Sequence, residues 1–225
     1  MSEHGLQASL QRRLVWWWVL VGSIAVLSFA GRASSETEPD PNVFYRYDTF
    51  LVGLVLYLLL LGLILLIATG LDVRRIFALR RPDSWTRAVL IAGASFVAMW
   101  IAAALLELAF HAGEEQGLDP DRLSVDKLAP FLLNVGLAAI VVPVIEELIY
   151  RGVGFTLLAQ FGDVAAIVVT SLAFALAHGI LDGLPVFFVI GAALATVRSR
   201  TQSIYPCMLM HGLFNAVQVV LGAAS

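Results

Sequence analysis

Long apolar stretches separated by short polar segments are the feature that most constrains this chain. Several reach the roughly 18 to 20 residues that a helix needs to cross a hydrocarbon core about 30 Å thick. Of the 225 residues, 60% are hydrophobic and only 14% are charged, unlike the mixture found in soluble domains. Helices satisfy every backbone hydrogen bond internally, so helices should carry the spans. The chain is predicted to be an all-α, polytopic transmembrane helical bundle.

About seven membrane-spanning helices are expected, within a range of six to eight. The first stretch is either a cleaved signal peptide or an uncleaved anchor, and its length and three interfacial tryptophans favour the anchor. The predicted spans are Leu14–Ala30, Phe50–Thr69, Ala88–Phe110, Phe131 to about Ala159, Val164–His178, Leu184–Val197 and Ile204 to about Leu221. We divide the chain into an anchor helix with an acidic outer loop (1–49), two further helices with a basic loop (50–130) and a catalytic core (131–225).

The distribution of arginines predicts the orientation of the spans. Cytoplasmic loops carry an excess of Lys and Arg. Segment 71–87 contains five arginines, whereas segments 31–49 and 111–130 are dominated by Glu and Asp. Alternating from this basic loop also places four more arginines inside and the C-terminus outside. The nine predicted cytoplasmic arginines are Arg12, Arg13, Arg74, Arg75, Arg80, Arg81, Arg87, Arg198 and Arg200. The expected location is the plasma membrane.

Several function classes lack the residues they need. The net charge of -3, without a basic cluster interleaved with aromatics, gives no basis for a nucleic-acid partner. The single cysteine, Cys207, cannot form an intramolecular disulfide or a CxxC motif. None of the four histidines is followed by Glu, so the HExxH zinc motif is absent.

A small set of ionisable residues lies within the predicted spans, where a charge costs at least about 2.5 to 3.5 kcal/mol and usually marks function. The set is Glu146, Glu147, Arg151, His178 and His211, with Asn215 as a polar companion. Residues four apart share a helix face. Glu147 should therefore pair with Arg151, and Glu146 has no partner on its own helix.

The same spacing predicts two further pairs. His211 and Asn215 should face one spot, and Phe174 should pack beside His178 and restrain it. Pro143 should kink the fourth helix and free a carbonyl near the site.

These residue types suit hydrolysis by activated water. A carboxylate in an apolar cleft, here Glu146, can act as the general base, with His178 holding the water from a second direction. His211 and Asn215 offer donors to the oxyanion. Because two His and one Glu also form a catalytic zinc set, zinc bound by Glu146, His178 and His211 remains an alternative.

Three motifs, Glu146-Glu147-x-x-x-Arg151, Phe174-x-x-x-His178 and His211-x-x-x-Asn215, resemble the signature motifs of the CPBP family. That family comprises CAAX prenyl proteases and bacteriocin-processing or self-immunity (Abi) proteins. The resemblance covers residues 131–225. It implies an intramembrane endopeptidase with Glu146 as base and no cofactor, and a cavity that opens toward the cytoplasm. Glu147 and Arg151 would orient the site or the substrate.

The predicted function is hydrolysis of a peptide bond in a membrane-associated peptide or protein, such as a lipidated CaaX-type or leader-containing one. The partners expected are this substrate and the lipid bilayer; the oligomeric state stays open. The alternative is a non-proteolytic self-immunity or peptide-binding protein that uses the same cavity. A transporter is disfavoured because no repeated halves are evident.

Straight helices pose one difficulty for this site. At ~1.5 Å per residue, His178 would lie about 22 Å from the cytoplasmic start of its span, but His211 only about 10 Å from the start of its own. Either the short fifth and sixth spans are tilted or re-entrant, or the predicted span boundaries are wrong.

Overall fold

Seven long helices account for most of the chain. The structure, a computed structural model, describes residues 3–34, 42–110 and 127–224, and no β-strand occurs in these ranges. The helices are α1 (Glu3–Ala33), α2 (Tyr47–Ala68), α3 (Trp85–Phe110), α4 (Leu128–Phe161), α5 (Asp163–Ala177), α6 (Leu184–Thr201) and α7 (Tyr205–Ala224). Each corresponds to one predicted span, so the all-α bundle is confirmed. The predicted acidic outer loops fall largely on residues 35–41 and 111–126, which lie outside the described residues.

The outward faces of the bundle are apolar, as a lipid environment requires. Six of the helices are long and apolar enough to cross a membrane, and α5, with 15 residues, is shorter. Leu59, Leu66 and Leu90 expose 62%, 70% and 69% of their surface. Soluble monomeric proteins rarely expose such continuous apolar surfaces to water. The protein is therefore an integral membrane protein.

The helix ends form two groups, and one of them carries the arginine-rich loops. Arg80 Nε donates to the Gln202 carbonyl at 2.6 Å, and Ser199 Oγ donates to Asp163 Oδ2 at 2.5 Å. Arg13 also donates, to the carbonyl of Thr69 at 2.6 Å. These contacts join the start of α1 and the loops after α2, α4 and α6. We call this group the basic end.

The other group contains the end of α1, the start of α2, the start of α4 and the turn between α5 and α6. Arg32 Nε donates to the His178 carbonyl at 3.2 Å, and Asn134 Nδ2 donates to the Arg46 carbonyl at 2.9 Å. Gly179 makes the turn after α5 with φ +66° and approaches α1 so closely that a Cβ would lie 2.7 Å from the Ser28 carbonyl carbon. We call this group the opposite end.

Helix α4 is irregular where the predicted kink lies. A π-helical turn, Leu137–Val141, precedes Pro143, and a second, Leu148–Gly154, follows the two glutamates. Pro143 has no backbone N–H, so one carbonyl in the preceding turn lacks its usual helical hydrogen-bond donor. A kink was predicted at Pro143; the structure has a π-helical turn directly before it, within the helix that carries the glutamates.

Helix α1 is an integral part of the bundle. Trp17 is fully buried, and its Nε1 donates to the Ile149 carbonyl of α4 at 2.9 Å. Gly154 provides the space for this ring, since a Cβ there would lie 2.5 Å from Trp17 Cζ2. Helix α1 is therefore packed against α4.

Candidate active site

One cavity of about 520 Å³ collects all four predicted catalytic residues. It lies between α1, α2, α4, α7 and the end of α5. Glu146, His178, His211 and Asn215 all line it. Three separate helices bring them together, as the order of the motifs suggested.

Glu146 is the carboxylate that faces the cavity. Its Oε1 accepts a 2.7 Å hydrogen bond from the Tyr57 hydroxyl of α2, and its Oε2 lies 3.7 Å from His211 Nε2. Its side chain is 16% exposed, against 0% for Glu147. Tyr57 was not among the predicted site residues, although its hydroxyl stands out within the leucine-rich part of α2.

Glu147 lies in the protein interior beside the cavity. Its Oε1 is 3.0 Å from Arg151 Nη1, and both side chains are fully buried. The predicted pair is confirmed. Arg151 Nη2 also donates to the Gly191 carbonyl at 2.9 Å, which ties the pair to α6.

An unpredicted contact joins Glu147 to His211. His211 Nδ1 lies 3.0 Å from Glu147 Oε1, the oxygen that also binds Arg151. A carboxylate oxygen accepts, so Nδ1 carries a proton and the ring is held with Nε2 toward Glu146. Glu147 thus orients His211 from behind.

Two aromatic rings and a backbone carbonyl hold His178. Its Nδ1 lies 2.8 Å from the Phe174 carbonyl, an acceptor, so Nδ1 carries the proton and neutral His178 has its lone pair on Nε2. The Phe174 ring lies 4.7 Å away edge-on, as predicted, and the Phe187 ring stacks at 3.9 Å. The Phe187 contact was not predicted, since nothing in its spacing marks it.

Asn215 satisfies a carbonyl that Pro143 leaves without a partner. Asn215 Nδ2 donates to the Ala138 carbonyl at 3.0 Å. In the π-helical register, the donor to Ala138 would have been the N–H of residue 143, which proline lacks. The amide is therefore fixed at the cavity wall, one turn from His211 on the same helix.

Straight helices were expected to place His178 and His211 at different depths along the bundle. The two residues nevertheless line one cavity, and α5 and α6 are both unbroken. Cys207 Sγ donates to the Leu194 carbonyl at 3.4 Å, so α7 begins well inside the bundle, level with a residue seven positions before the end of α6. Phe174 spans the remaining distance, with ring centroids 4.7 Å from His178 and 5.6 Å from His211.

Packing around α4 is tight on the basic-end side of Glu146, whereas a separate cavity of about 620 Å³ lies between α1 and α2 toward that end. Trp17, Phe77, Tyr150 and Arg151, which lie on that side of Glu146, are each at most 2% exposed. Toward the opposite end, the cavity is lined by Leu27, which is 71% exposed, and by Ser28, Ala138, His178 and Asn215. The approach to Glu146 therefore runs from the opposite end and from the gap between α1 and α2.

The zinc alternative names Glu146, His178 and His211 as the metal ligands. Among the described residues, no three His, Cys, Asp or Glu side chains lie close enough together to hold a metal ion. The nitrogen of His211 that faces Glu146 is 3.7 Å from its carboxylate.

The fold and the site define a class: a polytopic membrane protein with a cluster of ionisable side chains buried between its helices. Residues 128–217 match the family model described as Rce1-like: Type II CAAX prenyl endopeptidase Rce1-like. The match agrees with the resemblance to the CPBP family, and the matched segment contains all the candidate catalytic residues. No curated protein and no solved structure matches the chain.

Proposed function

We propose that this protein is an intramembrane endopeptidase in which Glu146 activates water. The observation that carries the proposal is the convergence of Glu146, His178 and His211 on one cavity within a bundle of membrane helices. The family match supports a CAAX-type protease, and the finer assignment rests on the geometry.

In the proposed reaction, water bound between Glu146 and His178 attacks the peptide carbonyl carbon. Glu146 takes the proton, and the carbonyl π electrons move to oxygen to give a tetrahedral oxyanion. The carbon–nitrogen bond then breaks, and protonated Glu146 returns the proton to the leaving amine. His178 Nε2, with its lone pair, accepts a hydrogen bond from the water.

His211 Nε2 and the second N–H of Asn215 stabilise the oxyanion in this scheme. Because Nδ1–H of His211 already donates to Glu147, donation from Nε2 requires the doubly protonated imidazolium. Glu147 stabilises such a cation from 3.0 Å and is itself held by Arg151. Glu147 and Arg151 are thus positioning residues, not reacting groups.

The substrate proposed is a membrane-associated peptide, lipidated or leader-containing. The cavity wall is apolar between α1 and α2, where Ile24, Leu27, Leu56 and Leu60 line it. An extended peptide with an acyl or prenyl chain could enter from lipid through this gap and present its backbone to Glu146.

For orientation in the plasma membrane, we propose that the basic end is cytoplasmic. All nine arginines of the predicted cytoplasmic segments lie at or near this end, whereas Arg32, Arg46 and Lys127 are the described basic residues at the opposite end. The cavity then opens outward, contrary to the cytoplasmic opening that the family resemblance implies. The substrate would be a peptide presented at the outer leaflet.

Two alternatives remain distinguishable. A zinc-dependent version of the same protease would show a chelator-sensitive activity. A self-immunity or peptide-binding protein would bind the same peptides through the cavity without hydrolysing them.

The deciding experiment is cleavage of quenched fluorescent peptides, prenylated and unmodified, by purified protein with and without chelator. The matched variant is Glu146→Gln, which keeps the shape of the side chain but cannot accept the proton. We expect cleavage by the wild type that is lost in the variant and unaffected by chelator. Equal cleavage by both proteins would overturn the proposal, whereas tight binding by both without cleavage would favour the binding protein.

A further inference from the structure

Another cavity, of about 250 Å³, lies at the basic end, outside the catalytic site. Segments from the loop after α2, the end of α4 and the end of α6 enclose it. Its charged and hydroxyl side chains are Arg74, Arg75, Arg80, Arg198, Asp163 and Thr156. Four arginines and one aspartate thus line the cavity, and the Asp163 carboxylate already accepts a hydrogen bond from Ser199.

Two buried donors of this cavity have no partner among the described residues. Arg198 is 6% exposed, and its Nη1 makes no hydrogen bond, although its Nε donates to the Arg151 carbonyl at 3.1 Å. The Thr156 hydroxyl is likewise buried and unpaired. Buried polar groups are nearly always satisfied, so two orphans in one small cavity point to a ligand that accepts hydrogen bonds.

The backbone around this cavity is held in an unfavourable conformation. Ala78 and Gln202, both of which line it, have φ of +52° and +54°. They are the two non-glycine residues with positive φ in the described ranges. The Arg80 side chain bonds the Gln202 carbonyl, and the Ile204 N–H bonds the Ala78 carbonyl at 3.2 Å. The arginines are therefore presented on a preformed frame.

The chemistry of the cavity matches a phosphate group. Guanidinium groups bind phosphate oxygens through charge-assisted, often paired hydrogen bonds, and a hydroxyl adds a further donor. A phosphate would supply acceptors to Arg198 and Thr156 and neutralise the excess positive charge.

Exposed apolar side chains near the cavity indicate where the phosphate comes from. Val73, Phe161 and Val164, which are close in sequence to lining residues, are 49%, 63% and 75% exposed. Such residues beside a basic pocket between membrane helices suit a lipid with its headgroup in the pocket and its chains outside. We propose that this cavity binds the phosphate of an anionic phospholipid at the basic end of the bundle.

The test is lipid binding to the purified full-length protein in neutral detergent, followed by native mass spectrometry. The probes are phosphatidylglycerol, phosphatidylcholine and inorganic phosphate. The test variant is R74Q/R75Q, because both side chains are exposed and their removal spares the fold. The matched control is R81Q/R87Q, two exposed arginines that do not line the cavity, one in the same loop and one in the first turn of α3.

We expect the wild type to bind phosphatidylglycerol in preference to phosphatidylcholine. R74Q/R75Q should weaken that binding about tenfold or more, and R81Q/R87Q less than threefold. A different outcome is that millimolar inorganic phosphate displaces the lipid from the wild type but has no effect on R74Q/R75Q. That result would show that the cavity binds phosphate and that its ligand is a soluble phosphate, not a lipid headgroup. Equal losses in both variants, or no preference for phosphatidylglycerol, would overturn the proposal.

Discussion

The hydroxyl of Tyr57 donates a 2.7 Å hydrogen bond to Glu146, which links α2 to the carboxylate that we propose as the base. Tyr57 lies outside the segment 128–217 that matches the family model. The N-terminal helices therefore line the cavity, and α2 also contributes a side chain that contacts Glu146.

Replacing Tyr57 with Phe should lower kcat/KM about 10- to 100-fold with the fold intact. A hydrogen bond to a charged group is worth about 1.5 to 3 kcal/mol, and each 1.36 kcal/mol is tenfold in rate. Peptide cleavage kinetics would measure the loss, with Tyr47→Phe, an exposed tyrosine on the same helix, as the control. Unchanged kcat/KM in Tyr57→Phe would contradict a role for this contact.

Breaking the buried pair on α4 should cost stability. Arg151→Met leaves Glu147 fully buried without its cation, a loss of about 3 to 5 kcal/mol in the free energy of unfolding. Thermal unfolding in detergent should show a large decrease in Tm for this variant. The double variant Glu147→Gln/Arg151→Met removes both charges and should recover most of the Tm but not the activity. If Arg151→Met alone were as stable as the wild type, the pair would not have the importance we give it.

The contact between α1 and α4 can be tested at a glycine. Gly154→Ala would place a Cβ 2.5 Å from the Trp17 ring, and such overpacking costs about 1 to 3 kcal/mol. Gly136→Ala, on the same helix with no heavy atom within 4 Å of the new Cβ, is the control and should match or exceed the wild type in Tm. Equal Tm for the two variants would mean that α1 does not pack as described.

The orientation we propose predicts which thiols are accessible from outside the cell. Cys207 is fully buried, so single cysteines introduced at Ser28, Ser34 and Ser84 can be followed against a low background. A membrane-impermeant thiol reagent applied to intact cells should label Ser28→Cys, in the cavity, and Ser34→Cys, at the opposite end. Ser84→Cys, at the basic end, should be labelled only after permeabilisation.

The reverse labelling pattern would place the cavity on the cytoplasmic side, as the family resemblance implies. Because the assay needs no substrate, its result is independent of whether the protein cleaves peptides. Failure of the orientation and failure of the proposed activity are therefore distinguishable.

Contacts within one helix were predictable, and those between helices were not. The spacing of four residues was sufficient to anticipate the contact of Glu147 with Arg151 and that of Phe174 with His178, because helix geometry alone brings such residues together. The irregularity at Pro143 was also predictable, because it depends only on the missing N–H of one residue within one helix.

The hydrogen bond from Tyr57 to Glu146 and the contact of Glu147 with His211 depend on how helices rotate against one another. No periodicity within a single helix contains that information. The depth in the bundle at which α7 begins likewise depends on how tightly the chain turns after α6. This is why straight helices suggested that His178 and His211 could not share a cavity.

The short length of α5 has a consequence for the surrounding bilayer. Its 15 residues span about 22 Å at ~1.5 Å per residue, and Val164, Val168 and Leu172 face outward along it. A hydrocarbon core about 30 Å thick is longer than this apolar stripe, so hydrophobic mismatch should thin the lipid beside α5. His178 lies at the end of that helix. A thinner bilayer at this position would shorten the path that water and a polar peptide backbone must take to reach Glu146, the proposed base. Elsewhere around the bundle that path would be longer.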